Sequence, residues 1–469
     1  MRTCDVAIVG GGIAGLAAAW RAHQLGLSCV LFEAARVVGG KMRSERKDGY
    51  LIEHGPNSFL GSATALWRLV EDTGMAGQVL SARKPAWRYV YRDRQARRLP
   101  LDPVSLLGGD YLSASGKLRL LCEPLVPGGA TSTDTAWQFA ERRVGREAAR
   151  YLMTPFVSGV YAGDVHQLGA RDAFPKLWNW ERAGGSATLG ALLSPPESTD
   201  PEVADLPQRR GMFSFRDGLG ALPQAIAGAL PADCVRTGTP IAALEPRVDG
   251  WLLSPHPTLA VDKAAVLARH VVVALPNHPA ADLLAPIAPQ VSRALAQVQT
   301  VRVAVVHVGG PDPDAVAPRG FGVLIPPGEG QRALGILFPS SVFDDRAPAG
   351  HCLHTGFFGG ACDPEAVDLP DDVLADLVVS ARGSAFADAA RLPNPTMVHV
   401  IRWRQAIPQY VVGHRARMAT ARHDLSAQWP NLALAGSHLD GVSVADSASS
   451  GARAVDALVT GQRAGEVHA

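Results

Sequence analysis

The chain carries no surplus of charge of either sign: 45 Lys and Arg stand against 44 Asp and Glu in 469 residues. That balance removes the electrostatic footprint expected of a nucleic-acid binder. Paired cysteines are missing as well. Cys4, Cys29, Cys122, Cys234, Cys352 and Cys362 are scattered, with no C-x-x-C among them, which suits free thiols in a reducing cytoplasm and not a disulfide framework. Apolar runs such as Val271–Leu275 fall far short of the roughly 20 residues a bilayer-crossing helix needs. The first apolar stretch passes straight into a glycine turn without a cleavage pattern, so it reads as folded structure. Peripheral contact with a membrane surface and assembly as a homodimer stay open.

Two chemistries are also absent. No G-x-S-x-G elbow occurs, so nucleophilic Ser-His-Asp catalysis has no support. "HCLH" at 351–354 places His, Cys and His together, but on a strand His351 and His354 point to opposite faces, and no metal site is expected.

What is present begins with "DVAIVGGGIAGLAAAW" at 5–20. Asp5–Val9 reads as a buried parallel strand, and Gly10, Gly12 and Gly15 form the G-x-G-x-x-G turn into a helix, aiming backbone N–H groups at a pyrophosphate. A second apolar strand, Ser28–Phe32, ends at Glu33. Its carboxylate suits a ribose hydroxyl and repels a 2′-phosphate, which disfavours NADP. At the other end of the chain, Leu432–Ala435, a Gly436 turn and a helix starting near Asp446 supply a second positive helix terminus. "GLGALP" and "GEGQRALG" both lack a complete glycine fingerprint, so one nucleotide site is expected. One fingerprint, an acidic residue after the second strand, "VGGKMRS" at 38–44 and a returning strand and helix describe a flavin enzyme whose cofactor is FAD.

With about 150 residues per domain, the chain should divide into two or three. The expected class is α/β: a discontinuous Rossmann-like FAD-binding domain at 1–62, 206–280 and 426–469, a mostly helical region at 63–205, and a sheet-based substrate domain at 281–425. The loop "SPPESTDPEVADLPQ" marks a boundary near 195–210. No internal repeat is present.

Longer strings then carry a resemblance over essentially the whole chain. "GPNSFL" at 55–60, "SGVYAGD" at 158–164, "GFGVLIP" at 320–326, "LGILFPSSVFDDRAP" at 334–348, "IPQYVVGH" at 407–414 and "AGSHLDGVSVADS" are similar to the oxygen-dependent protoporphyrinogen oxidases of the flavin-containing amine oxidase superfamily. The resemblance implies oxidation of protoporphyrinogen IX to protoporphyrin IX with O2 as acceptor, giving H2O2, and a helical region that faces a membrane. It implies a flat apolar slot from Phe321, Leu324, Leu337, Phe357 and Ile407, a propionate partner in Arg88, and close backbone access at Gly159. For FAD it implies Gly10, Gly11, Gly12, Ile13, Ala14 and Gly15, then Glu33, Ala34, Lys41, and the Gly55, Pro56, Asn57 and Ser58 backbone. Ile241 would meet the adenine, Val442, Ser443 and Val444 the flavin end, and Trp403 is a further candidate.

Two departures stand out. Lys41 occupies a position where relatives often carry Arg, which loses bidentate geometry but keeps phosphate attraction. Ala448 stands where relatives carry a larger apolar residue. No general acid or base is assigned. Two alternatives remain at this level: a coproporphyrinogen III oxidase, which must accept additional carboxylates, and an amine-oxidase-like flavoprotein or heme-handling binding protein without porphyrinogen chemistry.

Overall fold

The computed structural model describes residues 2–100, 108–193 and 209–466; the expected boundary loop at 194–208 lies outside them. Arg2–Val9, Cys29–Phe32, Val235–Arg236, Val266–Val273 and Leu432–Leu434 form the parallel part of one sheet. Gly250–Pro255 and Ile241–Arg247 extend it antiparallel, beside the first half of Val266–Val273. The strand expected at Asp5–Val9 thus begins at Arg2, pairing Val6 with Cys29 on one side and with His270 on the other.

Strand residues here are apolar on both faces because helices cover both. Val6 and Ile8 pack in one layer with Ile13–Ala22 and with Val455 and Leu458 of the last helix. Ala7 and Val9 pack in the other layer with Leu284, Leu295 and Leu425. Alternate side chains of one strand therefore join two cores.

A second sheet runs in the order Met397–Pro408, Thr300–Pro311, His351–Gly359, Gly335–Leu337, Gly322–Leu324, Arg88–Arg92 and Gln95–Arg98. The last two strands lie inside the segment expected to be mostly helical. Arg88–Arg92 leaves it because it pairs in parallel with Gly322–Leu324, and a period-two pattern joined to an existing sheet edge satisfies more backbone groups than an isolated helix turn. The rest of 108–193 is helical, including Ala114–Leu121, Ala136–Val144, Thr154–Tyr161 and Pro175–Gly184.

One face of the second sheet is plain core: Ala304, Val306, Val323, Ile336 and Phe358 pack on Leu374, Val378 and Ala381 of helix Asp371–Ala385. The register sets what the other face presents. Val305 opposes Phe357, His307 opposes Thr355, Gly335 opposes both Phe357 and Leu324, and Gly322 opposes Leu337 and Arg88. Arg88, Leu324, Leu337, Thr355, Phe357, Val305 and His307 therefore share that second face.

Candidate cofactor and substrate site

At the carboxyl end of Arg2–Val9, three glycines make the turn for separate reasons. Gly10 holds φ +112°, and a Cβ on it would stand 2.5 Å from the Ala274 carbonyl oxygen. On Gly15 a Cβ would lie 1.8 Å from the Gly10 oxygen, while on Gly12, the residue capping helix Ile13–Gln24, it would meet nothing within 4 Å. The turn thus closes on its inner side and leaves an open cradle over the helix N-terminus.

Other segments wrap that cradle. Glu33 accepts the Gly11 N–H at 2.7 Å on one carboxylate oxygen and the Ala35 N–H at 2.8 Å on the other; lone pairs remain for a ribose hydroxyl. Ala34 is exposed beside it. Gly238 and Thr239 donate to the Ala35 and Glu33 carbonyls, both at 2.8 Å, which ties the stretch leading to Ile241 alongside. Gly39 N–H donates to the Gly11 carbonyl at 2.8 Å. Gly40 sits against Gly12, and a Cβ on Gly55 would stand 2.6 Å from the Lys41 oxygen. The fingerprint, the double glycine and the Gly55–Ser58 segment are therefore one assembly. Burial pushes the Lys41 ammonium down to about 8.

The last helix starts at Val444, earlier than the expected Asp446, because Ser443 caps it: Asp446 N–H donates to Ser443 Oγ at 3.0 Å and that hydroxyl donates back to the Asp446 carboxylate at 2.6 Å. Val442 packs with Tyr410, Val157 and Ile407. Ala448 is 1% exposed and lies in the same layer as Ala14 and Ala18, a tight helix crossing that a larger side chain would overfill.

Of the seven expected slot residues, three line one cleft and the other four adjoin it through single contacts. Phe321, Leu337 and Phe357 line a cleft that Gly55 and Asn57 close from the nucleotide side. The Arg88 guanidinium lies 5.7 Å from the centre of the Phe321 ring, and its one hydrogen bond is to Met212 Sδ at 3.5 Å. It is exposed and makes no ion pair among the described residues. Gly159 meets Leu324, whose Cδ2 would stand 2.7 Å from a Cβ there. A π-turn at Ala149–Met153 precedes the helix that carries Gly159. Ile407 joins Phe357, Val305 and Trp403 in one cluster.

Four residues of this region were not expected from sequence. His307 and Thr355 are hydrogen-bonded to each other at 2.9 Å, and both line the cleft. Glu53, also lining it, is 5% exposed and accepts the Ser44 hydroxyl at 2.5 Å and the Leu219 N–H at 2.8 Å. Burial nonetheless pushes its carboxyl up to about 7. Arg346, 2% exposed, donates to the Ser214 hydroxyl and to the Phe215, Arg216 and Asp344 carbonyls. The available signals were a His inside the apolar run "TVRVAVVHVGG" and an Arg inside "FDDRAP"; neither string says what the side chain faces. His351 and His354 do point apart, His351 to the Tyr50 hydroxyl at 2.6 Å and His354 to Arg382 at 3.4 Å.

The family described as flavin containing amine oxidoreductase matches residues 13–459. The mitochondrial protoporphyrinogen oxidase of Nicotiana tabacum is 30% identical over 97% of this chain and 94% of its own length. The coproporphyrinogen III oxidase of Bacillus subtilis is 29% identical over 97% of this chain and 98% of its own. A crystal structure from Exiguobacterium sp. 255-15 superposes with a TM-score of 0.80 at 24% identity, covering 97% of this chain and 98% of that one.

Proposed function

Because the chain belongs to the flavin containing amine oxidoreductase family, we propose that it oxidises a porphyrinogen to the corresponding porphyrin in heme biosynthesis, with protoporphyrinogen IX as the preferred substrate. The protein is an oxidoreductase and its cofactor is FAD. The residues present fit that group: the cradle over Gly12 is open where a Cβ would meet nothing, and an acidic side chain and a lysine flank it. When bound, FAD supplies the two-electron acceptor. The chain supplies the rest. The N–H groups of Gly10–Gly15 and the Lys41 ammonium would hold the pyrophosphate, Glu33 the ribose, and the Ser443–Val444 helix terminus would favour negative charge at the flavin end.

The observation that carries the substrate reading is the apolar cleft wall of Phe321, Leu337 and Phe357, with Leu324 on the same sheet face and the Arg88 guanidinium, without an ion pair among the described residues, against the Phe321 ring. A porphyrinogen is a broad apolar macrocycle with carboxylate arms, so it needs water excluded along its face and a fork donor at its edge. None of Phe321, Leu324, Leu337, Phe357, Ile407 and Gly159 titrates, so these residues orient and desolvate the substrate and carry no proton.

Protein loaded with FAD and mixed with protoporphyrinogen IX without air should lose its yellow flavin band, and readmitted O2, which we take as the acceptor, should restore it with release of H2O2. A flavin that stays oxidised would end the reading and leave a binding protein. The Bacillus subtilis relative favours coproporphyrinogen III as a second reading. Its additional carboxylates call for further cations, whereas Arg88 is the one charged group among the expected slot residues, so side-by-side rates on the two substrates separate them.

The helical region supports peripheral membrane contact. Leu118, Leu121, Leu125, Phe156 and Val160 are 64%, 48%, 82%, 47% and 40% exposed, apolar side chains of the kind a membrane surface covers. Among the described residues no helix is long and apolar enough to cross a membrane. Sedimentation with phospholipid vesicles tests the contact: protein left wholly in the supernatant would dismiss it.

A further inference from the structure

Two consecutive backbone carbonyls at the entry to the Gly55–Ser58 segment are gripped by side chains of the second sheet. His307 Nε2 lies 3.0 Å from the Glu53 carbonyl oxygen, and Trp403 Nε1–H donates to the His54 carbonyl oxygen at 2.6 Å. A carbonyl only accepts, so His307 Nε2 carries the hydrogen and Nδ1 accepts the Thr355 hydroxyl at 2.9 Å. Both ends of that relay are shielded, with His307 1% and Thr355 3% exposed.

The strand register explains why these side chains reach one segment. His307 opposes Thr355, Val305 opposes Phe357, and Val303 opposes Trp403, so all face the nucleotide domain from one side of the sheet. On its other side the same segment is bonded to the nucleotide domain itself. His54 N–H donates to the Arg43 carbonyl at 2.9 Å, and the Glu53 carboxylate takes Ser44 and Leu219. Residues 53–58 are thus the place where the cofactor cradle and the substrate wall are fastened together.

We infer that His307 and Trp403 are positioning residues that fix the Gly55–Ser58 backbone against the cofactor and hold it in register with the slot wall at Phe357. Neither needs to touch a reacting atom. Trp403, expected from resemblance as a cofactor contact, works through the His54 carbonyl. The imidazole works through Glu53, and Thr355 fixes its ring so that Nε2–H points at that oxygen. The inference rests on the FAD site and not on the identity of the porphyrinogen, so its test reads flavin retention and remains informative if no porphyrinogen is oxidised.

The test uses FAD-loaded protein, measuring the rate of flavin release on dilution by its fluorescence and the visible circular dichroism of the bound flavin. His307→Leu and Trp403→Phe should each release FAD at least about tenfold faster, the consequence of losing one buried hydrogen bond to a carbonyl that then lacks a partner. Their flavin dichroism should change as well. His307→Gln retains a donor toward Glu53 and should stay within about threefold of the unaltered chain. Thr355→Val should shift release in the same direction by a smaller factor. Folded His307→Leu and Trp403→Phe proteins that hold FAD as long as the unaltered chain, with the same dichroism, would overturn the inference, as would His307→Gln behaving like His307→Leu. Should His307→Leu fail to fold, Trp403→Phe and Thr355→Val decide by the same criteria.

Discussion

Gly451 of the last helix rests directly on the Ala14 carbonyl of the first: a Cβ at 451 would stand 1.8 Å from that oxygen. The helix that begins at Val444, the proposed flavin end, is thereby pressed onto the helix that begins after Gly12, the proposed pyrophosphate cradle. The obstructing atoms, the Ala14 carbonyl and the Ala18 nitrogen, are all backbone, so none can swing away. Gly451→Ala should lower unfolding free energy by about 1–3 kcal/mol, the usual cost of overpacking, and loosen FAD at the same time. Denaturant unfolding and flavin retention read the two effects; a variant as stable as the unaltered chain would show that the helices can separate freely.

Arg88 predicts a binding defect without a folding defect. It is exposed and pairs with no carboxylate among the described residues, so its removal leaves no buried group unsatisfied. Arg88→Ala should raise KM for the porphyrinogen about ten- to a hundredfold, as expected for losing a charge-assisted hydrogen bond, with kcat within threefold. Arg88→Lys, which keeps charge without the fork, should fall between. A loss confined to kcat would place Arg88 elsewhere in the cycle.

Lys41 gives FAD affinity a pH dependence. Its ammonium is lowered to about 8 by burial, and a pyrophosphate beside it would raise it again. Binding energy from that pair is complete below pH 8 and lost as pH rises, so the FAD dissociation constant should climb by up to about tenfold per pH unit above 8. Lys41→Met should bind more weakly at pH 7 and lose the slope. An unchanged slope in that variant would assign the titration to another group.

Glu53 should act on stability in the sense opposite to most carboxylates. Its folded pKa is raised from 4.5 to about 7, so the native state holds a proton that the unfolded chain releases between those values. Its stability contribution is full below pH 4.5 and declines as pH rises to 7, by an amount of order 3 kcal/mol. His307, lowered from 6.5 to about 3, contributes stability that is lost as pH falls through that window. Urea unfolding at stepped pH isolates the carboxylate: the difference between the unaltered chain and Glu53→Gln should widen steadily from pH 4.5 to 7. A constant difference would mean that the folded carboxyl titrates where it does in the unfolded chain.

The primary sequence by itself determined the elements whose logic is local. A run of apolar residues ending in Gly10, Gly12 and Gly15 can only turn one way, and the acidic residue closing the second strand follows from strand length, so the cradle was legible before any fold was known. The slot residues were legible as strings but not as a surface, because an apolar residue on a strand has the same pattern whether its face meets helix Asp371–Ala385 or a substrate. Register decided that. Pairing Gly335 with Phe357 and Gly322 with Arg88 put Arg88, Leu324, Leu337 and Phe357 on one side, and a one-residue slip would have sent them into the core. The same pairing joined the hairpin of Arg88–Arg92 and Gln95–Arg98 to a sheet whose remaining strands lie more than two hundred residues further along the chain, a contact that local periodicity cannot encode. His307 and Glu53 were hidden for the same reason. Their roles depend on which backbone group approaches from a distant segment, and only the folded chain brings a strand end and a sheet face within hydrogen-bond distance.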